Sequence, residues 1–166
     1  MTDANQAAVA LMPRPTSAET PTPGISPSRR AFLDEALARH LGPEIRADLA
    51  GIVASYAKGG HLSFNGKIYD TAEGLLHFHR EMGFDGHGVL GELTAEIAHL
   101  SYTHDSVIVE YLMHATITPK LEGGATGRRV DIPTCGVYQF NEAGELASER
   151  IYLDTGLWLS KPVFSP

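Results

Sequence analysis

Apolar residues recur along this chain in two rhythms, a helical one before about residue 83 and a period of two after about residue 92. Phe32, Leu33, Ala36, Leu37 and Leu41 fall at helical spacing. Ser26-Pro27 supplies a cap and a first-turn proline, and Gly42-Pro43 predicts the stop. Ile45, Leu49, Ile52, Val53 and Tyr56 make a second stripe, which predicts a helix from about Pro43 that ends at Gly59-Gly60. The stretch from His61 to Tyr69 predicts two short β segments around an Asn65-Gly66 turn. Leu75, Phe78 and Met82 mark the buried stripe of a third helix, with Asp70 as cap, Glu73 as capping-box partner and Gly83 as stop.

After a glycine-rich loop at 84–91, a long strand runs from Glu92 to His104 and turns at Asp105-Ser106. Val107 to Asp154 then holds three alternating runs rich in Val, Ile, Tyr and Thr, separated by two turn segments. Helices first and strands afterwards predict an α+β domain with the helices on one face of the sheet. Alternation splits the run 107–118 into two faces. Val107, Val109, Tyr111, Met113, Ala115 and Ile117 form an apolar set, while Glu110 and His114 belong to a mixed one. The simplest packing puts the apolar set under the helices, with Tyr111 as the polar handle of a greasy pocket.

Composition narrows the class. With 166 residues, the chain suits one domain. Residues 1–27 carry half of its prolines and predict a disordered tail, 28–160 the folded domain and 161–166 a C-terminal tail. A net charge of −7 argues against nucleic acid and against an anionic membrane surface. No apolar run is long enough to span a bilayer, and Met1–Pro15 lacks the pattern of a secretory leader. Cys135 is the one cysteine, so a reducing cytoplasm is the expected compartment.

Several strings, in order, carry a resemblance: Tyr56-Ala57, Phe64-Asn65-Gly66, Val109-Glu110-Tyr111, Thr116-Ile117-Thr118 and Thr126-Gly127-Arg128, then Gly136 to Phe140, Gly144-Glu145-Leu146 and Arg150 to Asp154. From about Pro43 to Asp154 the chain resembles the SnoaL-like polyketide cyclases of the nuclear-transport-factor-2-like superfamily. The resemblance implies a cone-shaped, cystatin-like fold, in which a curved antiparallel sheet wraps around three N-terminal helices. It also implies a pocket for a small hydrophobic ligand on the concave face and a homodimer through the outer sheet face. Fold alone does not select a reaction. Related enzymes keep an acid on the last strand where Ile151 stands here, and isoleucine moves no protons.

The candidate proton carriers are therefore His61 and Glu149. His61 opens the short strand, where an imidazole titrates near neutral pH. Glu149 shares the side-chain face of Ile151 and would become a useful acid if buried. Tyr56 is a candidate oxygen-orienting donor, and Tyr111, Met113, Phe78 and Ile151 are candidate substrate-binding residues. Asp131 is a second carboxylate to consider, and Cys135 is expected to be buried and inert. His77 and His79, two apart on a helix, lack the spacing that places two imidazoles on one ion, so neither a metal nor another cofactor is expected. The leading expectation is a cofactor-independent cyclase, isomerase or epoxide hydrolase that uses acid–base chemistry in a closed pocket. The alternative is a non-catalytic ligand-binding or dimerisation module.

Overall fold

The computed structural model describes residues 24–158. The expected tails, up to residue 23 and at 161–166, lie outside the described residues. Ser26 caps the first helix, α1 (Pro27–Ile45), by accepting the Arg29 amide at 3.1 Å. Gly42 and Pro43 do not stop α1, as the sequence predicts, but are buried within it. The helix ends only after Ile45, where the Arg46 amide reaches the Gly42 and Pro43 carbonyls. Proline here removes one rung of the helix, and packing against α2 (Leu49–Ala54) offsets the loss: a Cβ on Gly51 would stand 3.1 Å from the Pro43 Cβ.

The second helix is shorter than its stripe predicts. It ends at Ala54, and Tyr56 is the first residue of a strand, β1 (Tyr56–Phe64), rather than the end of a helix. Sheet pairing overrides the helical pattern at this point, because the Leu146 amide bonds the Ser55 carbonyl at 3.0 Å and Tyr56 pairs with Leu146. Asn65 and Gly66 have φ of 46° and 88°, the double left-handed turn that joins β1 to β2 (Lys67–Tyr69). The third helix, α3 (Ala72–Met82), is capped by Thr71, one residue after the expected Asp70, through a 3.0 Å bond to the Gly74 amide. Gly83 stops it with φ 114°, and a Cβ there would lie 1.8 Å from the Leu90 carbonyl oxygen.

The remaining strands are β3 (Leu90–Tyr102), β4 (Ser106–Ile117), β5 (Arg129–Phe140) and β6 (Leu146–Leu153). β3 begins two residues earlier than expected, because Leu90 and Gly91 already pair with Ile117 and Thr116, and ends two residues earlier, because Thr103 bonds Ser106 across the turn. The sheet order is β2-β1-β6-β5-β4-β3, antiparallel except where β1 lies parallel to β6. It is a curved, unclosed sheet, with the helices on its concave side. The predicted face of β4 is the buried one: Val107, Val109, Met113, Ala115 and Ile117 all join the core, with Tyr111 packed against it. Among the described residues, no helix is long and apolar enough to cross a membrane.

Candidate functional site

His40 and Glu44 are one helical turn apart on α1 and point the same way, into the space between the helices and the sheet. Alternation along β6 turns Glu149 and Ile151 inward, and both are buried. Tyr56, at the start of the adjacent strand, donates its hydroxyl hydrogen bond to Glu149 Oε2. His40 Nε2 stands 3.4 Å from that same oxygen and 3.4 Å from Glu44 Oε1. From α3, His79 brings its Nε2 to 3.8 Å from Glu44 Oε1. Two imidazoles, two carboxylates and a phenol thus meet within a largely apolar core.

Local bonds fix which imidazole nitrogens carry protons. Ser55 gives its hydroxyl proton to the Ile52 carbonyl at 2.6 Å, so it accepts from His40 Nδ1 at 2.8 Å. The Leu75 carbonyl likewise accepts from His79 Nδ1 at 2.7 Å. Both rings therefore turn Nε2 towards the carboxylates. Burial alone would lower the pKa of His40, but the charge of Glu149, with Glu44 behind it, lifts it to about 10. Burial alone would raise the Glu149 carboxyl, and the adjacent His40 instead holds it below its usual range, helped by the Tyr56 hydroxyl. Burial and the same carboxylates push the Tyr56, Tyr111 and Tyr138 hydroxyls up, so all three stay neutral donors.

Two connected hollows approach this cluster. The larger, about 180 Å³, has apolar walls that include Leu41, Val109 and Met113, and its polar groups come from Glu44, Tyr111, Tyr138 and Thr94. The smaller, about 30 Å³, lies deeper and is lined by Glu149, His79, Phe78 and Ile151. Glu44, Phe84, Tyr111, Met113 and Tyr138 line both. Such a shape suits a small, largely apolar molecule with one or two oxygens to be held at the polar end.

The sequence profile of the SnoaL-like domain family matches residues 30–149, from early α1 to the buried carboxylate of β6. The chain belongs to the SnoaL-like family. Among curated proteins none matches it. Among solved structures, the SnoaL-like polyketide-cyclase-type protein of Jannaschia sp. CCS1 superposes with a TM-score of 0.68 at 17% identity, covering 83% of this chain and 98% of that one. SalBIII, an epoxide hydrolase/cyclase-like enzyme of pyran ring formation in the polyether salinomycin, gives 0.63 at 18% identity, with 77% and 95% covered. An LEH-like epoxide hydrolase of M. tuberculosis gives 0.57 at 18% identity, with 77% and 86% covered. Likeness at this level establishes the nuclear-transport-factor-2-like fold.

Of the residues singled out from the sequence, this SnoaL-like domain brings Tyr56 and Glu149 into direct contact. It sets Tyr111 and Met113 in the walls of both hollows, and Phe78 and Ile151 in the wall of the inner one. His61 is not with them. Leu62 is the inward residue of that pair on β1, so His61 points to the outer face, where its Nε2 meets Ser148 Oγ at 3.3 Å beside Arg150. Asp131 is also on the outer face, 2.7 Å from His114 Nδ1. Cys135 is half-buried there rather than in the core, and burial pushes its thiol pKa up, which keeps it inert.

Sequence reasoning missed His40, Glu44, His79 and Tyr138. The signal for the first two lay in the pattern itself: positions 33, 36, 37, 40 and 44 form one helical stripe, and a His and a Glu one turn apart continue its apolar part. Taking Gly42-Pro43 as a helix end put Glu44 in a different element and concealed the pair.

Proposed function

We propose that this SnoaL-like domain is an enzyme that moves a proton on a small, largely apolar, oxygenated substrate of polyketide-like character, as a cyclase, isomerase or epoxide hydrolase does. The observation that carries the reading is the cluster of Glu44, Glu149, His40, His79 and Tyr56 at the polar end of an otherwise apolar hollow. Buried ionisable groups are costly, and their concentration beside a cavity is what acid–base catalysis requires. Glu149 and Glu44 are the proton-transferring carboxylates in this reading. Tyr56 holds Glu149 in place, and Tyr111 orients the substrate oxygen from the facing strand. An unfilled hollow of about 180 Å³ with Glu44, Tyr111 and Tyr138 in its wall favours an enzyme over a dimerisation module.

The outer face of the sheet carries Ile108, Leu112, Val137 and exposed Tyr152, with Pro133 and Cys135 beside them in register. We place a homodimer contact on that face, and a reducing, cytoplasmic setting is consistent with the lone cysteine. Light scattering tests the dimer.

The catalytic reading is tested with a panel of cyclic ketones and alkyl epoxides. Proton–deuterium exchange next to the carbonyl is followed by NMR, and diol or cyclised product by chromatography. Turnover that falls by about 10²- to 10⁴-fold in Glu149→Gln supports the assignment. Full turnover in both Glu149→Gln and Glu44→Gln sinks it.

A further inference from the structure

We propose that His40 Nε2, Glu44 Oε1 and Glu149 Oε2 form a three-ligand binding site for a divalent first-row transition cation such as Zn²⁺ or Co²⁺.

Two geometric facts lead here. The ligand atoms of His40, Glu44 and Glu149 all lie within 4.8 Å of one another. The two distances from His40 Nε2 are 3.4 Å each. An ion bonded tetrahedrally at roughly 2.0–2.1 Å holds its ligand atoms about 3.3–3.4 Å apart, so the two edges that meet at His40 Nε2 already have that length, and the Glu44–Glu149 edge, within 4.8 Å, closes as the ion binds. His79 Nε2 is 3.8 Å from Glu44 Oε1 but stands outside this group of three, so its ring would have to swing inward to reach the same ion.

Independent support comes from a buried atom that lies close to two carboxylates without hydrogen-bonding to either. His40 is 1% exposed, and its Nε2 makes no hydrogen bond although it is aimed between two carboxylate oxygens. Because Ser55 fixes the proton of the neutral ring on Nδ1, a neutral His40 would turn a lone pair towards two other acceptors. The carboxylates thus gather positive charge between the three atoms, a proton on Nε2 in the free protein, and a divalent cation would take that proton's place. His79 shares the anchoring, with Nδ1–H held by the Leu75 carbonyl. Imidazoles whose Nδ1–H is anchored to a hydroxyl or carbonyl, leaving Nε2 to coordinate, are characteristic of metal-bound histidines.

The donor set selects the ion. An imidazole nitrogen with two carboxylates suits Zn²⁺, Co²⁺, Fe²⁺ or Mn²⁺, whereas Ca²⁺ and Mg²⁺ favour all-oxygen sites. Glu44 also lines the larger hollow, which gives the ion a route in and leaves one side facing the substrate space. A cation there would polarise a substrate oxygen or a water molecule. The i, i+4 spacing sought in vain between His77 and His79 is supplied instead by His40 and Glu44.

The test uses the full chain, stripped with EDTA and titrated with CoCl₂ or ZnCl₂ alone, by calorimetry and by Co²⁺ absorption. About one equivalent should bind, with visible bands of a four- or five-coordinate ion. His40→Gln and Glu149→Gln should each abolish binding. Ser55→Ala, which loosens the His40 ring without touching a ligand, should weaken it about 10- to 100-fold. Asp131→Asn, which breaks the surface His114 pair, should leave it unchanged. No uptake by the folded wild type overturns the proposal, as does uptake that persists in both His40→Gln and Glu149→Gln. If those two variants fail to fold, unaltered affinity in Ser55→Ala overturns it. No substrate is involved, so failure here leaves the proton-transfer reading standing, and failure to find turnover leaves the cation site standing.

Discussion

The Tyr56 hydroxyl donates to Glu149 Oε2, joining the first residue of β1 to the inner face of β6 across the one parallel pairing in the sheet. The Tyr56 ring also stands edge-on to His40, with centroids 5.5 Å apart. Tyr56→Phe keeps that ring contact and removes only the donor to a buried carboxylate. Hydrogen bonds to charged groups contribute about 1.5–3 kcal/mol, and the variant should lose stability in that range. Urea unfolding at neutral pH checks it, and a midpoint unchanged from wild type would show that the hydroxyl contributes nothing.

Gly136 on β5 makes room for Tyr138. A Cβ at Gly136 would lie 2.6 Å from Tyr138 Cε2 and 2.8 Å from its hydroxyl oxygen. The ring lies back over its own strand, towards Gly136, and lines both hollows. Gly136→Ala should therefore push Tyr138 into the cavity, cost about 1–3 kcal/mol as an overpacked core does, and change the near-ultraviolet circular dichroism. A variant of wild-type stability and spectrum would refute the close packing.

How the chain encodes its site can be followed in these residues. The strands and the inward face of β4 were legible because a period of two leaves a clear trace over long runs, and Asn65-Gly66 and Gly83 marked real turns because their φ values require it. Tyr56 and Glu149 could be selected by position, but their contact could not, since β1 meets β6 through a parallel pairing that no local pattern reports. His40 and Glu44 escaped because a buried proline continues the helix between them, a tertiary effect that overrides the local rule. His61 was displaced by a single step of alternation, which changes the face of a side chain.

That step gives a third prediction. His61→Ala should leave turnover close to wild type, because the ring lies outside both hollows and bonds Ser148 on the outer face. Its stability cost should be about 0.5–1.5 kcal/mol, the usual net value of one such bond. A loss of turnover like that expected for Glu149→Gln would show that the outer face takes part in the chemistry.

The turn between β3 and β4 provides a pH-dependent test away from the site. The Asp105 carboxyl is held below its usual range chiefly by Gln139, whose Nε2 donates at 2.8 Å, and then by Ser106 at 2.8 Å, with Thr103 at 3.1 Å as a smaller contribution. Gln139 lies on β5, so the ionised carboxylate ties the turn to a second strand. A folded pKa below the unfolded one means that the unfolded chain binds the proton more readily. The stabilisation is therefore complete above the unfolded value of about 3.9 and drains away as pH falls through the folded value. The residue is only partly buried, so solvent still screens the carboxyl, and the contribution should stay below about 1 kcal/mol. The difference in urea midpoint between wild type and Asp105→Asn should be level from neutral pH down to about pH 5 and shrink below about pH 4. A difference that stays constant through that acid range would mean that the charge of Asp105, as opposed to its shape, does not hold the turn.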